Sequence, residues 1–369
     1  MNLAGGTMKK RISIIIQILL VTVLFTACQS EKKVEYTKFQ NTFFEYFDTV
    51  TTVIGYTKTE EEFNAYYTEI QNQFKTYNEL YDIYNDYPGV NNIKTINENA
   101  GVAPVKVDQK IIDLILFSKE WHDKTNGKTN IAMGSVLSIW HDYRDAGEDD
   151  PVNAKLPPME DLVAASEHTD ISKVIVNEED GTVYLEDPLM KLDVGSVAKG
   201  YATEQIGEMM RVKGFTSLII SAGGNVKALD KPLDEIRDRW GIGIQNPDES
   251  VFSDGATLDT VFGNNISVVT SGDYQRFYVV GDKKYHHLID GDTLMPGTNF
   301  KAVSVVVKDS GLADFLSTTL FLSTLEEGKE IISSIDGAYA IWVDTNNEIY
   351  ISDGFETMLK SKGASGADK

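Results

Sequence analysis

The stretch Leu192–Ala202, LDVGSVAKGYA, constrains this chain more than any other. An acid, two glycines and a lysine sit where an extended segment gives way to a helix. Upstream, Thr182–Leu185 (TVYL) is β-branched and aromatic, as strands are. Downstream, Ala198, Tyr201, Ala202, Ile206, Met209 and Met210 recur at helical spacing, which predicts a helix over Ser196–Lys213. Ser196 is the expected N-cap and Gly214 the expected stop. A helix start exposes unpaired N–H groups and partial positive charge, so it attracts anions. Lys199 adds a full charge in the first turn, and Gly195 admits close backbone approach. Gly200 inside a helix costs about 1 kcal/mol relative to alanine, which asks for a packing or ligand reason. An ordinary strand–turn–helix with a surface lysine fits the same residues, so the segment alone leaves ligand and scaffold readings open.

The rest of the chain reads as α+β (mixed α/β). Phe43–Tyr56 reads as a strand or hairpin, and Glu60–Tyr84 and Lys110–Lys124 carry apolar residues at helical spacing. Asn85–Asn99 and the acidic Asp142–Pro158 read as loops. Strand-like runs follow at Lys173–Asn177, Ser217–Ser221, Trp240–Gln245, Ile266–Thr270, Phe277–Val280, Val303–Val307 and Ala338–Val343. Helices are expected over Ser310–Leu322 and Leu325–Ser334. At 369 residues and 42% hydrophobic, the chain can form one large or two modest domains. A net charge of −22 with no basic patch excludes nucleic acid as a partner. An acidic protein that binds a phosphorylated ligand needs local cations or a metal to offset repulsion.

The N-terminus reads as a targeting segment. Lys9, Lys10 and Arg11 precede a short apolar run, Ile12 to Phe25, then Thr26-Ala27-Cys28. The run is too short for a comfortable membrane span and fits a signal peptide over residues 1–27, with Met8 the more natural start. Cys28 is the one cysteine in the chain, which resembles a bacterial lipoprotein signal. Phe25 departs from the Leu, Val or Ile usual there, and a plain secretory signal with a chance cysteine is the alternative. The expected plan is a lipid-anchored tether over 28–40, a catalytic domain over 41–358 and a disordered tail over 359–369. The membrane, through the lipid anchor at Cys28, is thus an expected partner, on the extracytoplasmic face.

Four further clusters carry polar chemistry. Ser221-Ala-Gly-Gly-Asn225 allows a tight turn and close ligand approach after a strand. Thr270-Ser271-Gly272-Asp273-Tyr274, with Arg276 nearby, offers hydroxyl and backbone donors to phosphate. Tyr285-His286-His287-Leu288-Ile289-Asp290 holds two of the five histidines, and a histidine can orient phosphate or act as acid and base near neutrality. No zinc-type spacing surrounds it. Asp314 and Thr318 are i, i+4 on a helix, and oxygen ligands of that kind suit Mg²⁺ beside substrate phosphates. Each cluster alone also fits a turn, a structural histidine or a buried helix face.

In order, LDVGSVAKGYA, SAGGN, WGIGIQNP (Trp240–Pro247), TSGDYQRF (Thr270–Phe277), YHHLID and ADFLSTTLF (Ala313–Phe321) resemble the ApbE family, the FAD:protein FMN transferases. The resemblance covers roughly Phe43 to Asp353. It implies a single catalytic domain with a T-fold-like core of sheets packed by helices, alternatively two subdomains. It implies FAD as substrate, Mg²⁺ as cofactor, transfer of FMN to a threonine or serine of an acceptor protein, and release of AMP. By motif position Asp193 and Lys199 touch FAD, and the Ser196 carbonyl, Asp314 and Thr318 hold the metal. His287 matches the family histidine, with His286 the alternative, and Asp314 and His287 are the expected catalytic residues. Tyr84, Phe47, Ala132, Leu288, Ser271 and Gly272 are expected at the flavin. Three departures stand out. Leu294 and Gly291 occupy the glycine and proline positions of an HIIDPxTG-type motif, Asn225 replaces a common aspartate, and Gly311 replaces a further metal carboxylate. Two other readings fit the same residues: an Mg²⁺-dependent FAD pyrophosphatase whose acceptor is water, and a non-enzymatic flavin-binding lipoprotein.

Overall fold

The computed structural model describes residues 34–250 and 252–367. The leader and Cys28 lie outside the described residues. Runs of β-branched and aromatic residues build a main sheet of eight strands. They are β1 (Thr37–Phe43), β2 (Thr51–Thr57), β3 (Leu218–Ala222), β4 (Asn225–Leu229), β5 (Ile266–Gly272), β6 (Phe300–Val307), β7 (Tyr339–Asp344) and β8 (Ile349–Ile351). Order across the sheet is the order of the chain, and every neighbouring pair is antiparallel. Each long excursion therefore returns to the next free edge of the sheet.

The excursions carry the helices. Between β2 and β3 lie α1 (Glu60–Tyr81), α2 (Ile93–Glu98), α3 (Gln109–Lys124), α4 (Gly134–Asp149), α5 (Met159–Ser166) and α6 (Ala198–Val212). Between β6 and β7 lie α7 (Ser310–Leu322) and α8 (Leu325–Ser333). Every residue of α7 is buried, so its polar side chains face protein or cleft and not bulk solvent. Strand periodicity sorts the sheet's two faces. Val269 packs with Leu312, Leu316 and Leu320 of α7, whereas its neighbour Val268 packs with Trp240, Ile242 and Val261. Those last residues belong to a ribbon, Trp240–Gln245 paired with Thr257–Gly263, that covers the face opposite the helices. The result is an α+β domain in layers of helix, sheet and ribbon, and Tyr36 onward packs as one unit.

Several sequence expectations shift. The tether expected to reach residue 40 enters β1 at Thr37, because TKFQNTF pairs along its whole length with β2. The tail expected to be disordered from residue 359 is packed as far as Gly366. Leu359 is buried, and the Gly366 carbonyl accepts from the N–H groups of Asp238 and Arg239 at 2.8 and 3.1 Å. The acidic stretch read as a loop from Asp142 forms the last two turns of α4, since Asp and Glu on an exposed helix face cost little and Pro151 stands beyond its end. Helix α6 starts at Ala198 with Val197, not Ser196, at the N-cap position, and no side chain of its own caps it.

Candidate active site

The missing cap of α6 is supplied from across the core. Gly200 donates its N–H to Oδ2 of Asp314, on α7, at 2.8 Å. A helix start leaves this N–H without an intrahelical partner, and a carboxylate is the best acceptor for it. The packing reason for Gly200 follows. A Cβ there would drive into the Ser310 carbonyl and the Asp314 Cβ, so only glycine lets the two helices meet. Asn225, the first residue of β4, donates Nδ2 to the same Oδ2 at 3.2 Å. An aspartate at 225 would instead set a second carboxylate against the first. Both bonds land on Oδ2, and no described residue donates to Oδ1.

These groups floor a cleft of about 470 Å³, within the usual size for a small-molecule site. Asp193, Ser196, Lys199, Asn225, Ser271, His287, Leu288, Asp314 and Thr318 all line it, with Phe47 and Tyr84 at its mouth. Arg144, Arg276 and Lys128 add cationic side chains to Lys199, and these stand against the carboxylates of Glu45, Asp48, Asp82, Asp193 and Asp314 in the same lining. Burial pushes the Asp314 carboxyl up to about 6, against the pull of Lys199. Burial likewise lowers Lys199, although Asp314 opposes it. Desolvation outweighs mutual attraction in both, so the pair is primed for a ligand that supplies compensating charge. Thr318 stands one turn beyond Asp314, and Ser271 Oγ joins Ser317 Oγ at 2.8 Å and Thr318 Oγ1 at 3.4 Å.

The adjacent histidines have separate surroundings. His286 is buried, with Nε2 on the Gly297 carbonyl at 2.8 Å and Nδ1 accepting from the Leu288 N–H at 3.2 Å. Its ring meets Phe321 edge-on, and it does not line the cleft. His287 lines the cleft with Nδ1 3.2 Å from the Arg276 carbonyl. A carbonyl only accepts, so Nδ1 carries the proton and Nε2 keeps a lone pair. Burial, with nearby positive charge, lowers His287 to about 3, so the ring is neutral at pH 7.

Two expected flavin contacts fall elsewhere. Ala132 is fully buried in the core, and the cleft is lined instead by its neighbours Asn130 and Met133. Gly272 ends β5 away from the cleft, where a Cβ would strike the Tyr274 ring. The Ser221–Asn225 cluster forms the β3–β4 turn, with φ of 56° at Gly223 and 96° at Gly224. Gly223 lines the cleft, and Thr49 leaves no room for a Cβ there. Leu294 takes φ 59°, the left-handed conformation that glycine would favour at that position. The Trp140 indole holds its carbonyl at 3.0 Å, which keeps the turn after Leu288 closed without the glycine. Gly311 packs close to the Tyr201 backbone, where a Cβ would stand 3.1 Å from the Tyr201 Cα and 3.2 Å from Asp309 Oδ1, so a carboxylate at that position would need its neighbours to give by a few tenths of an ångström. Sequence reasoning missed His141 and Arg144, because both belong to α4, of which the part from Asp142 was read as loop and the part before it was given no element.

An Mg²⁺ ion takes oxygen ligands and usually retains waters or phosphate oxygens. The donors fit that habit: the Asp314 carboxylate, the Thr318 hydroxyl and the Ser196 backbone border one cleft. No group of three or more His, Cys, Asp or Glu able to hold a metal occurs among the described residues. Protein donors would therefore fill part of a coordination shell and leave the rest to a phosphorylated ligand.

Fold and site together define a class: an α+β enzyme domain whose cleft sets cations and oxygen ligands toward an anionic substrate. The chain belongs to the ApbE family, whose model matches residues 47–342. A FAD:protein FMN transferase of Klebsiella pneumoniae is 29% identical over 266 residues, 70% of this chain and 77% of the relative. One of Haemophilus influenzae is 25% identical over 366 residues, 96% of this chain and 100% of the relative. Among solved structures, the ApbE protein of Thermotoga maritima superposes with a TM-score of 0.73 at 23% identity, covering 88% of this chain and 99% of that one. The flavin transferase ApbE of Vibrio cholerae gives 0.71 at 18% identity, with 88% and 100% covered. These likenesses show a shared fold over most of the chain.

Proposed function

We propose that this chain is an Mg²⁺-dependent FAD:protein FMN transferase that attaches FMN to a threonine or serine hydroxyl of an acceptor protein and releases AMP. The observation that carries the reading is the meeting of Asp314 and Thr318 with the start of α6 on one cleft floor. Family membership and the names of the relatives support it. In the reaction the acceptor oxygen attacks the FMN phosphorus, the bridging P–O bond breaks, and AMP departs with the electron pair. Mg²⁺ would supply charge neutralisation at the pyrophosphate, held by Asp314, Thr318 and the Ser196 carbonyl. Lys199 and Arg276 stabilise negative charge that grows on the phosphates. Nε2 of His287 accepts the hydroxyl proton, since Nδ1 is already committed to the Arg276 carbonyl. Asp193 and Leu288 border the bound flavin nucleotide, with Phe47 and Tyr84 at the mouth.

We place the enzyme on the extracytoplasmic face of the membrane through a lipid on Cys28. A Cys28→Ser chain should partition into the soluble fraction and incorporate no labelled fatty acid; lipid labelling that persists would remove the anchor. The activity is tested with FAD, Mg²⁺ and a threonine-bearing acceptor. Protein-linked FMN supports transfer. Free FMN with AMP and no adduct supports hydrolysis, and neither product leaves a flavin-binding lipoprotein.

A further inference from the structure

We infer that His141 is a positioning residue that holds the Tyr84 ring as a platform for the flat ring system of the ligand. The inference rests on the proposed use of FAD, whose isoalloxazine is that ring. Tyr84 lines the cleft with 61% of its surface exposed, an unusual amount of open aromatic area beside a site. Its hydroxyl lies 2.8 Å from His141 Nδ1, with the two rings 6.1 Å apart and tilted by 47°. His141 belongs to α4, and the preceding Trp140 is buried and bonded to the Leu294 carbonyl, so the helix is anchored where His141 leaves it. On its other side, His141 Nε2 is 3.7 Å from Asp193 Oδ2.

Asp193 is itself fixed. Its Oδ1 accepts from the Gly195 N–H at 2.9 Å, and its own N–H donates to the Ile131 carbonyl at 2.8 Å. The Asp193 oxygen, an acceptor 3.7 Å from Nε2 and so beyond direct hydrogen-bond reach, favours through its charge the tautomer with the proton on Nε2. Nδ1 then presents a lone pair to the Tyr84 O–H. The same arrangement orients ring ligands of metals, where a carboxylate behind a histidine sets which nitrogen faces the site. Here the oriented group is a tyrosine. The Tyr84 backbone does not depend on this chain of contacts, because Asp82 Oδ1 holds the Tyr84 N–H at 2.6 Å. Removal of His141 therefore frees the ring and leaves the loop in place.

The test compares two ligands. ADP carries the adenosine and pyrophosphate of FAD and lacks the isoalloxazine. Calorimetric titration of the full chain should show His141→Ala weakening FAD about five- to tenfold, the usual scale for one lost hydrogen bond at a site, with ADP changed less than about twofold. His141→Asn, whose side-chain oxygen can replace Nδ1 as acceptor, should restore FAD binding. Tyr84→Phe should match His141→Ala, and the double variant should be no weaker than either, since both remove one contact. Equal loss of FAD and ADP in His141→Ala, or losses that add in the double variant, would overturn the inference. A wild-type chain that binds ADP and not FAD would overturn both this inference and the transferase reading. The expected pattern in a chain that transfers no FMN supports the inference and removes only the transferase reading.

Discussion

The floor of the cleft and its mouth are built in different ways. On the floor, Asp314, Thr318, Lys199 and Asn225 come from core helices and a central strand; Asp314 is held by the Gly200 N–H and the Asn225 amide, and Thr318 Oγ1 lies 3.4 Å from Ser271 Oγ. At the mouth, Phe47 and Tyr84 come from loops, and Tyr84 is held through a side-chain bond to His141. Phe47 and Asp48 take φ of 56° and 49°, a strained turn beside the site that the Asn78 side chain fastens at the Phe47 N–H. Groups that must present fixed charge sit on elements that cannot move without unfolding the core. Groups that recognise shape sit where one side-chain bond decides their orientation.

The comparison breaks most sharply at Asp314. Asp314→Ala should lower Mg²⁺-dependent AMP release and FMN transfer on the order of a thousandfold, the scale for loss of a metal-holding carboxylate. Full activity in that variant would remove the floor from the chemistry. His287→Ala should slow transfer about a hundredfold while FAD affinity changes little. Because His287 is held at about 3 in the empty cleft, the pH profile of kcat/KM should lack a histidine limb from this residue between pH 5 and 8. A limb there that vanishes in His287→Ala would assign the ring a different charge state.

Stability separates the same residues. Gly200→Ala should cost about 2–3 kcal/mol by overpacking α6 against α7, read as a lower denaturation midpoint at unchanged slope. Asp314→Asn should do the reverse. The folded carboxyl is raised to about 6 from 3.8, so the unfolded state binds fewer protons between those values. Stability of the metal-free wild type thus falls as pH rises through that window, by up to about 3 kcal/mol. Asp314→Asn should remove this slope and melt higher at pH 7 while it is inactive. A slope that persists in Asp314→Asn would place its origin elsewhere. The smallest effect belongs to the neighbouring histidine: His286→Ala should lose about 1–2 kcal/mol of stability by leaving the Gly297 carbonyl and Phe321 without their partner, with transfer retained at the folded level.

Element type was legible wherever periodicity was strong. Ser310–Leu322 is helical over the span its apolar run predicts, and Trp240–Gln245 and Phe277–Val280 are strands as read. Boundaries failed where capping came from outside the element. Ser196 is a good N-cap by type, yet the first turn of α6 uses Asp314 instead, more than a hundred positions away in the chain. Thr257–Gly263 was missed because a strand bearing Asp259 and Thr260 has weak alternation, and its partner strand supplies the pattern. At the site, motif order placed Asp193, Lys199, Asp314 and His287 on one cleft, whereas Ala132 and Gly272 carried no side-chain signal and fell away from it.

By itself the sequence determined which residues could bear charge or hold oxygen ligands, the type of the strongly periodic strands and helices, and membership in a family through spaced motifs. Those properties are local, set by side-chain chemistry and by periods of two or 3.6 residues. Tertiary structure alone decided which histidine of the pair meets the cleft, that Gly200 is the contact between two helices, and that His141 joins Tyr84 to Asp193. Each of these depends on atoms far apart in the chain brought within a few ångströms. Burial then changes their charge states in ways that composition cannot express.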